Sequence, residues 1–553
     1  MERISFIACI IFGVAFCGDL KAQDRYAVFF KYKPQETFSL DNPTNFLTSK
    51  AIARRNREGV APDSLDLPVS QKYVDAVFEK SKYVLYSSKW YNATLLVADE
   101  SNVKELEAMP FVERVELVGR GFIPSPEARV DRRNTSMTNK YIPPTSEGAK
   151  VMATNEESYD FQNSLLGIDK MHEEGFTGKG VTIAVFDAGF PGAETASALV
   201  HLQTNSQIIG TKDFVRPWNQ NVYSDNQHGT NVLSLIASNE PGTMVAGAPD
   251  ANYILAMTEE VATEYWVEEY NWVRAAEYAD SLGVDIINSS VGYWDFDDPA
   301  MNYSLADLDG ETTIIARGAS IAASKGILVV NSAGNTGPSE STLNSPSDAK
   351  GILGVGSVDM DLTVATSSSR GPTSDGRIKP DLAALGQRAA LVRSDGSKGF
   401  SNGTSFSAPQ ISALAAGLWE AKPEWTKDEL IENLLNSGTQ SDDPDNILGY
   451  GIPNFLGALY GEILGVEDQE DFLALKVFPN PIIGDELKIY FGKSLSAEFT
   501  LIDLNGRRLE IETLNRATVK EPFRIHIQGV KPGFYIIQMQ DGALIKQSKL
   551  IRQ

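Results

Sequence analysis

The chain has 553 residues, too many for a single compact core, so two to four domains are expected. Its 73 acidic against 49 basic residues leave a net charge of −24, which argues against nucleic acid or an anionic membrane as partner. A hydrophobic share of 42% with 22% charged residues fits soluble globular domains and not disorder.

Residues 1–22 read as an export signal. Arg3 supplies the positive start, residues 4–16 the apolar stretch, and Leu20-Lys21-Ala22 a cleavage site before Gln23. The stretch is too short to span a bilayer, so no transmembrane segment is expected. Lipid attachment at Cys17 is disfavoured by the bulky Phe16 before it. Both cysteines of the chain, Cys9 and Cys17, lie in this segment, and the mature protein would have neither thiol nor disulfide.

Residues 23–121 form a second unit. Tyr26-Ala27-Val28-Phe29-Phe30 and Ala93-Thr94-Leu95-Leu96-Val97 predict strands, 72–80 and 103–109 predict helices, and Val112-Glu113-Arg114-Val115-Glu116-Leu117-Val118 alternates as an edge strand does. The order approaches β-α-β-β-α-β, a small α+β, ferredoxin-like sandwich. Residues 122–160 are polar, hold Arg132-Arg133 and Pro143-Pro144, and lack sustained periodicity, as a linker would.

The next unit, 161–462, alternates buried strands with helices, which predicts an α/β domain with a parallel sheet and helices on both faces. Val181-Thr182-Ile183-Ala184-Val185-Phe186 is a continuous apolar and β-branched run ending in Asp187, at the strand end where such sheets place their sites. Taken alone, Asp187 could equally cap a turn. Of four histidines, only His228, within Asp225-Asn226-Gln227-His228-Gly229-Thr230, has a context suited to chemistry, because the following glycine lets another group come close. His172 and His526 are expected at surface or packing positions, and His201 in an idle polar loop. Ile327-Leu328-Val329-Val330 predicts another strand, ending in Asn331-Ser332-Ala333-Gly334-Asn335, where an amide can turn its NH2 donors on an oxyanion. Gly403-Thr404-Ser405-Phe406-Ser407-Ala408-Pro409 then opens an apolar helix and sets Ser405 in its first turn, near the converging N–H groups. A serine hydroxyl there needs an imidazole to take its proton and a carboxylate to hold the imidazole.

Val-Phe-Asp-Ala-Gly, His-Gly-Thr, Ser-Ala-Gly-Asn and Gly-Thr-Ser-Phe-Ser-Ala-Pro, in this order, resemble the subtilisin-like serine proteases. Ala246-Gly247-Ala248-Pro249, Ser368-Ser369-Arg370-Gly371-Pro372 and Lys379-Pro380-Asp381 add to the likeness. The resemblance implies an endopeptidase acting on protein or peptide substrates, with Asp187, His228 and Ser405 as triad and Asn335 as oxyanion donor. It implies substrate-backbone contacts at Ser290, Val291 and Gly292, after the strand Ile286-Ile287-Asn288-Ser289, and at Ser332, Ala333 and Gly334. It also implies that 23–121 is an inhibitory propeptide and 122–160 its processing linker. Two positions depart from the family. Gln227 replaces the usual glycine before the histidine and is expected to narrow access to the ring; Phe406 replaces the usual methionine and is expected to alter packing under the serine.

After an acidic joint at 463–474, residues 475–553 read as a small all-β sandwich, with strands near 487–491, 499–504, 523–527, 533–539 and 549–551 and a hairpin signal at Asn505-Gly506. Pro479-Asn480-Pro481, Asp503-Leu504-Asn505-Gly506-Arg507 and Lys549-Leu550 resemble the C-terminal sorting domain of the type IX secretion system of Bacteroidetes, which implies that machinery as a partner and a secreted or surface location. A carbohydrate-binding or stabilising sandwich is the alternative for this unit. For the whole chain, a noncatalytic surface adhesin and a lipase are the rivals, but the lipase elbow needs glycine where Ser407 stands. The chemistry calls for no cofactor or metal. The acid-rich stretch 301–312 is a candidate for structural calcium but lacks a recognisable ligand spacing, so a solvated loop is expected.

Overall fold

The computed structural model describes residues 23–122, 155–461 and, with short gaps, 476–552. The export signal, most of the expected linker and the acidic joint lie outside the described residues.

The first unit is a four-stranded antiparallel sheet of β1 (Gln23–Phe30), β2 (Tyr83–Ser88), β3 (Ala93–Ala98) and β4 (Val112–Phe122), in the order β2-β3-β1-β4, with β4 at an edge. Alternate residues of the central strands serve two cores. Val28 and Leu96 face this unit's own helices α2 (Gln71–Phe78) and α3 (Glu100–Glu107), through Val77 and Leu106. Phe29, Leu95 and Val97 join a core shared with the next domain. One helix, α1 (Ser49–Glu58), has no counterpart in the pattern expected from the sequence. Its ends carry ordinary signals: the Thr48 hydroxyl accepts the Ala51 N–H, and Gly59 closes the helix at φ 68°.

The central domain is built on seven parallel strands. They are β5 (Thr182–Asp187), β6 (Ile208–Asp213), β7 (Asn252–Met257), β8 (Ile286–Ser289), β9 (Leu328–Ser332), β10 (Leu353–Val358) and β11 (Leu382–Leu385), in the order β11-β10-β9-β8-β5-β7-β6. All six pairings are parallel. The central strands are largely apolar because the sheet is covered on both faces: Ile183 and Val185 of β5 pack on one, Ala184 and Phe186 on the other. Helix α4 (Asn155–Leu165) crosses the boundary expected at 160 and 161. Helix α5 (Ile168–Glu173) follows it, and α6 (His228–Ala237) supplies Val232 and Ile236 to the first face. Helices α7 (Trp266–Leu282) and α8 (Ile314–Ser324) cover the second face, beneath the propeptide-like sheet. Helix α9 (Thr404–Ala421) returns to the first face.

His201 does not sit in an idle loop as expected. It opens a helical turn, His201–Thr204, and its Nε2 lies 3.2 Å from the Pro249 carbonyl. The C-terminal unit is a two-sheet sandwich whose core includes Phe499, Leu501, Phe523 and Ile537. It contains a strand, Arg508–Asn515, that the sequence reading did not separate from its neighbours.

Candidate active site

Four chain segments meet where β5, β8 and β9 end side by side at the middle of the sheet. Asp187, the last residue of β5, is fully buried. Its Oδ1 accepts the Ala188 N–H at 2.7 Å, and both carboxylate oxygens lie 2.9 Å from His228 Nδ1. A carboxylate on Nδ1 fixes the ring's tautomer and leaves Nε2 as the basic nitrogen. His228 is the first residue of α6, and its backbone N–H is held by Asn226 Oδ1 at 2.9 Å. The glycine after it is required. A Cβ on Gly229 would stand 2.3 Å from the Gly189 carbonyl oxygen and 2.9 Å from the Asp187 Cβ.

Ser405 lies in the first turn of α9 after Gly403, whose φ of 140° only glycine adopts without strain. Pro409, four residues on, has no N–H to donate to the Ser405 carbonyl. That carbonyl instead accepts the Ser290 hydroxyl at 2.9 Å, which ties the Ser405 backbone to the end of β8. The Ser405 hydroxyl itself donates to the Ser290 carbonyl at 3.4 Å.

Asn335 lies three residues beyond β9. Its Oδ1 accepts the Thr404 N–H at 2.9 Å and the Thr404 hydroxyl at 3.2 Å. Because an N–H can be accepted only by the amide oxygen, these contacts fix which end of the side chain is which and leave the NH2 donors for the cleft that Asn335 and Ser405 both line. Thr404 is the residue that sequence reasoning passed over, although it stands inside the quoted motif.

The cleft measures about 530 Å³ and is lined by Ser290, Val291, Gly292, Ser332 and Gly334 among others. Ala333 does not belong to it. The residue is fully buried, its N–H donates to the Val355 carbonyl and its own carbonyl accepts the Asn344 N–H, so nothing of it remains for a substrate. Gln227, the departure before the histidine, is held away from free rotation. Its side chain is engaged by Ser394, whose N–H and hydroxyl reach Oε1 at 3.3 and 3.1 Å. Phe406 packs against the catalytic candidate itself, its ring centroid 5.6 Å from that of His228. His172 bonds the Gly247 carbonyl at 3.1 Å, and His526 is exposed on a strand of the C-terminal sandwich; neither approaches the cleft lining.

The acids of 301–312 serve local turns: Asp307 accepts the Ser304 N–H, and Asp309 those of Glu311 and Thr312. Among the described residues no three His, Cys, Asp or Glu side chains gather as a metal would require, and no helix is long and apolar enough to cross a membrane.

Residues 178–451 match the family described as "Subtilase family", residues 25–136 "Peptidase S8 propeptide domain, Bacteroidota", and residues 476–553 "Secretion system C-terminal sorting domain". "Serine protease AprX" of Bacillus subtilis (strain 168) is 32% identical over 323 residues, covering 52% of this chain and 67% of its own. "Subtilisin E" of the same strain is 27% identical over 376 residues, covering 67% of this chain and 81% of its own. Among solved structures, MycP1 with its N-terminal propeptide removed matches at 25% identity and a TM-score of 0.44, over 56% of this chain and 99% of that one.

Proposed function

The chain belongs to the subtilase family and is a serine-type endopeptidase, and from that premise we propose that Asp187, His228 and Ser405 are its catalytic triad and that it matures by cutting its own linker. It carries a family propeptide and a sorting tail that sends it by type IX secretion to the cell surface or beyond.

In the proposed reaction Ser405 Oγ attacks the scissile carbonyl carbon while His228 Nε2 takes the hydroxyl proton. The same nitrogen then protonates the leaving amine, an acyl-enzyme remains, and water enters by the reverse sequence. Asp187 holds Nδ1–H and balances the imidazolium charge. The Asn335 NH2 and the Ser405 backbone N–H receive the oxyanion, where such donors contribute about 3–4 kcal/mol. The observation that carries this reading is the buried Asp187–His228 pair with both oxygens at 2.9 Å, its imidazole packed 5.6 Å from the ring of Phe406, the residue after the helix-start Ser405. Ser405 Oγ must leave the Ser290 carbonyl and rotate toward the imidazole, a tightening common when substrate binds. Ser290, Val291, Gly292, Ser332 and Gly334 would seat the substrate backbone. No step draws on a cofactor or metal.

Full-length wild type and Ser405→Ala, expressed side by side and mapped by mass spectrometry across 122–160, test the reading. Wild type is expected to be cut there and to react with a fluorophosphonate at Ser405, and the variant to stay joined and unlabelled. A Ser405→Ala chain that still cleaves peptide bonds would sink it.

A further inference from the structure

The cleft beside Ser405 is lopsided in charge. One part of its wall is neutral, with Thr336 and Asn344, while another part holds Glu259, Glu264, Asp295 and Asp297, and among the described residues no lysine, arginine or histidine lines it. The carboxylates are placed by the protein. Asp297 Oδ2 accepts the Glu264 N–H and the Asp297 N–H returns to the Glu264 carbonyl, both at 3.0 Å. Asp295 Oδ1 accepts the Asn302 amide at 3.1 Å, and buried Glu259 takes the Tyr293 hydroxyl at 2.6 Å. Four like charges in a partly desolvated groove repel one another and lower the energy of any cation that enters.

A second observation shows what this face takes. The next acids along the same two segments, Glu260 and Asp298, already hold guanidinium groups of the propeptide: Arg25 Nη1 lies 2.9 Å from Glu260, and Arg120 Nε lies 2.9 Å from Asp298. Arg25 is 2% exposed, so this is a built contact and not a surface encounter. The strand that carries Arg120 ends at Phe122, whose ring packs 6.0 Å from Trp218. The residues that follow include Arg129, Arg132 and Arg133.

We propose that Glu264, Asp295 and Asp297 select peptides bearing an arginine or lysine on the N-terminal side of the scissile bond, and that the chain's own 123–133 segment is the first such substrate. The proposal rests on the proteolytic reading of Ser405. Its test uses the matured full-length protein and paired peptides that differ only in arginine against citrulline, which keeps the shape and removes the charge. Wild type is expected to favour arginine by about tenfold in kcat/KM, the size of one partly screened ion pair, with the preference shrinking as salt rises. The variant Asp295→Asn/Asp297→Asn, which keeps the local acceptor oxygens, should lose most of that preference while its kcat/KM for the citrulline peptide stays within about twofold. Equal rates on the two peptides in wild type, or a variant that slows both alike, would overturn the inference. Fluorophosphonate labelling separates the layers: Ser405 labelled without charge preference defeats this inference alone, while an unlabelled Ser405 defeats the proteolytic reading and this inference with it.

Discussion

At the scale of single residues, Asn335 and Gly229 give the sharpest expectations. Asn335→Ala would remove the proposed oxyanion donor, so kcat should fall by about 10²- to 10³-fold with KM little changed, read by steady-state kinetics. Gly229→Ala has no room for its methyl within 2.3 Å of the Gly189 carbonyl. The variant is expected to keep its circular dichroism spectrum but lose fluorophosphonate labelling, because the strain falls on the Asp187–His228 pair. A third residue governs a pH effect. Burial pushes the Glu269 carboxyl up to about 8, and the Tyr303 hydroxyl and Ile315 N–H do not pull it back. The folded state therefore keeps a proton that the unfolded chain releases near 4.5, so stability is full below that pH and declines until the folded group ionises near 8. Denaturant unfolding in a Ser405→Ala background should show this decline, and Glu269→Gln should flatten it.

Among elements, α1 departs most from what the sequence pattern implied. It docks the propeptide on the end of α7, away from the cleft. Arg54 and Arg55 both bind Asp280, Arg55 also binds Asp66, and Lys325 closes the group from the central domain onto Asp63 and Asp66. Arg57 lies over the Trp419 ring at 4.4 Å. All but Asp63 and Arg57 are almost fully buried, so removing one partner strands a charge in low dielectric at a cost of about 3–5 kcal/mol. Asp280→Ala in the Ser405→Ala background is expected to lower unfolding stability by that amount and to expose the propeptide to added trypsin. Burial pushes the Asp66 carboxyl up, but Arg55 and Lys325 outweigh it and hold it at about 2. Its contribution is present above the ordinary value of 3.8 and is lost as pH falls through 2, so the docking should loosen across that acid window. The cap residues of α1, Thr48 and Gly59, stand in the sequence, but nothing local marks Arg54 and Arg55 as buried, because the Asp280 they share is more than 200 positions away.

For the molecule as a whole, the order of units predicts how it can be divided. The C-terminal sandwich has its own core, drawn from residues 477–550. A chain ending at 461 is therefore expected to fold, mature and hydrolyse peptides at near wild-type rates in vitro but to stay inside its native host, measured by comparing culture medium with cell lysate. The propeptide differs, because Phe29, Leu95 and Trp90 share one core with Tyr270 and Val273 of α7. Deleting 23–121 should expose that apolar face and yield poorly folding protein, which the propeptide added in trans would rescue. A truncated chain that folds equally well alone would show that the shared core is dispensable.

The sequence alone determined the parallel sheet, the triad candidates and the order of the units, because each rests on a local signal. Apolar runs the length of one strand mark a sheet covered on both faces, and Asp187, His228, Asn335 and Ser405 each stand in a short motif at the end of an element. It could not determine what those residues touch. The exclusion of Ala333 from the cleft, the turning of Gln227 to Ser394, the grip of Thr404 on Asn335 and the release of the Ser405 carbonyl to Ser290 by Pro409 all depend on segments brought together across the sheet. The acidic wall is the clearest case. Glu259 and Glu264 lie before α7 and Asp295 and Asp297 after β8, where nothing local distinguishes them from solvated loop charges; only the closure of the parallel sheet brings both loops to the same strand ends and makes of them one field beside Ser405.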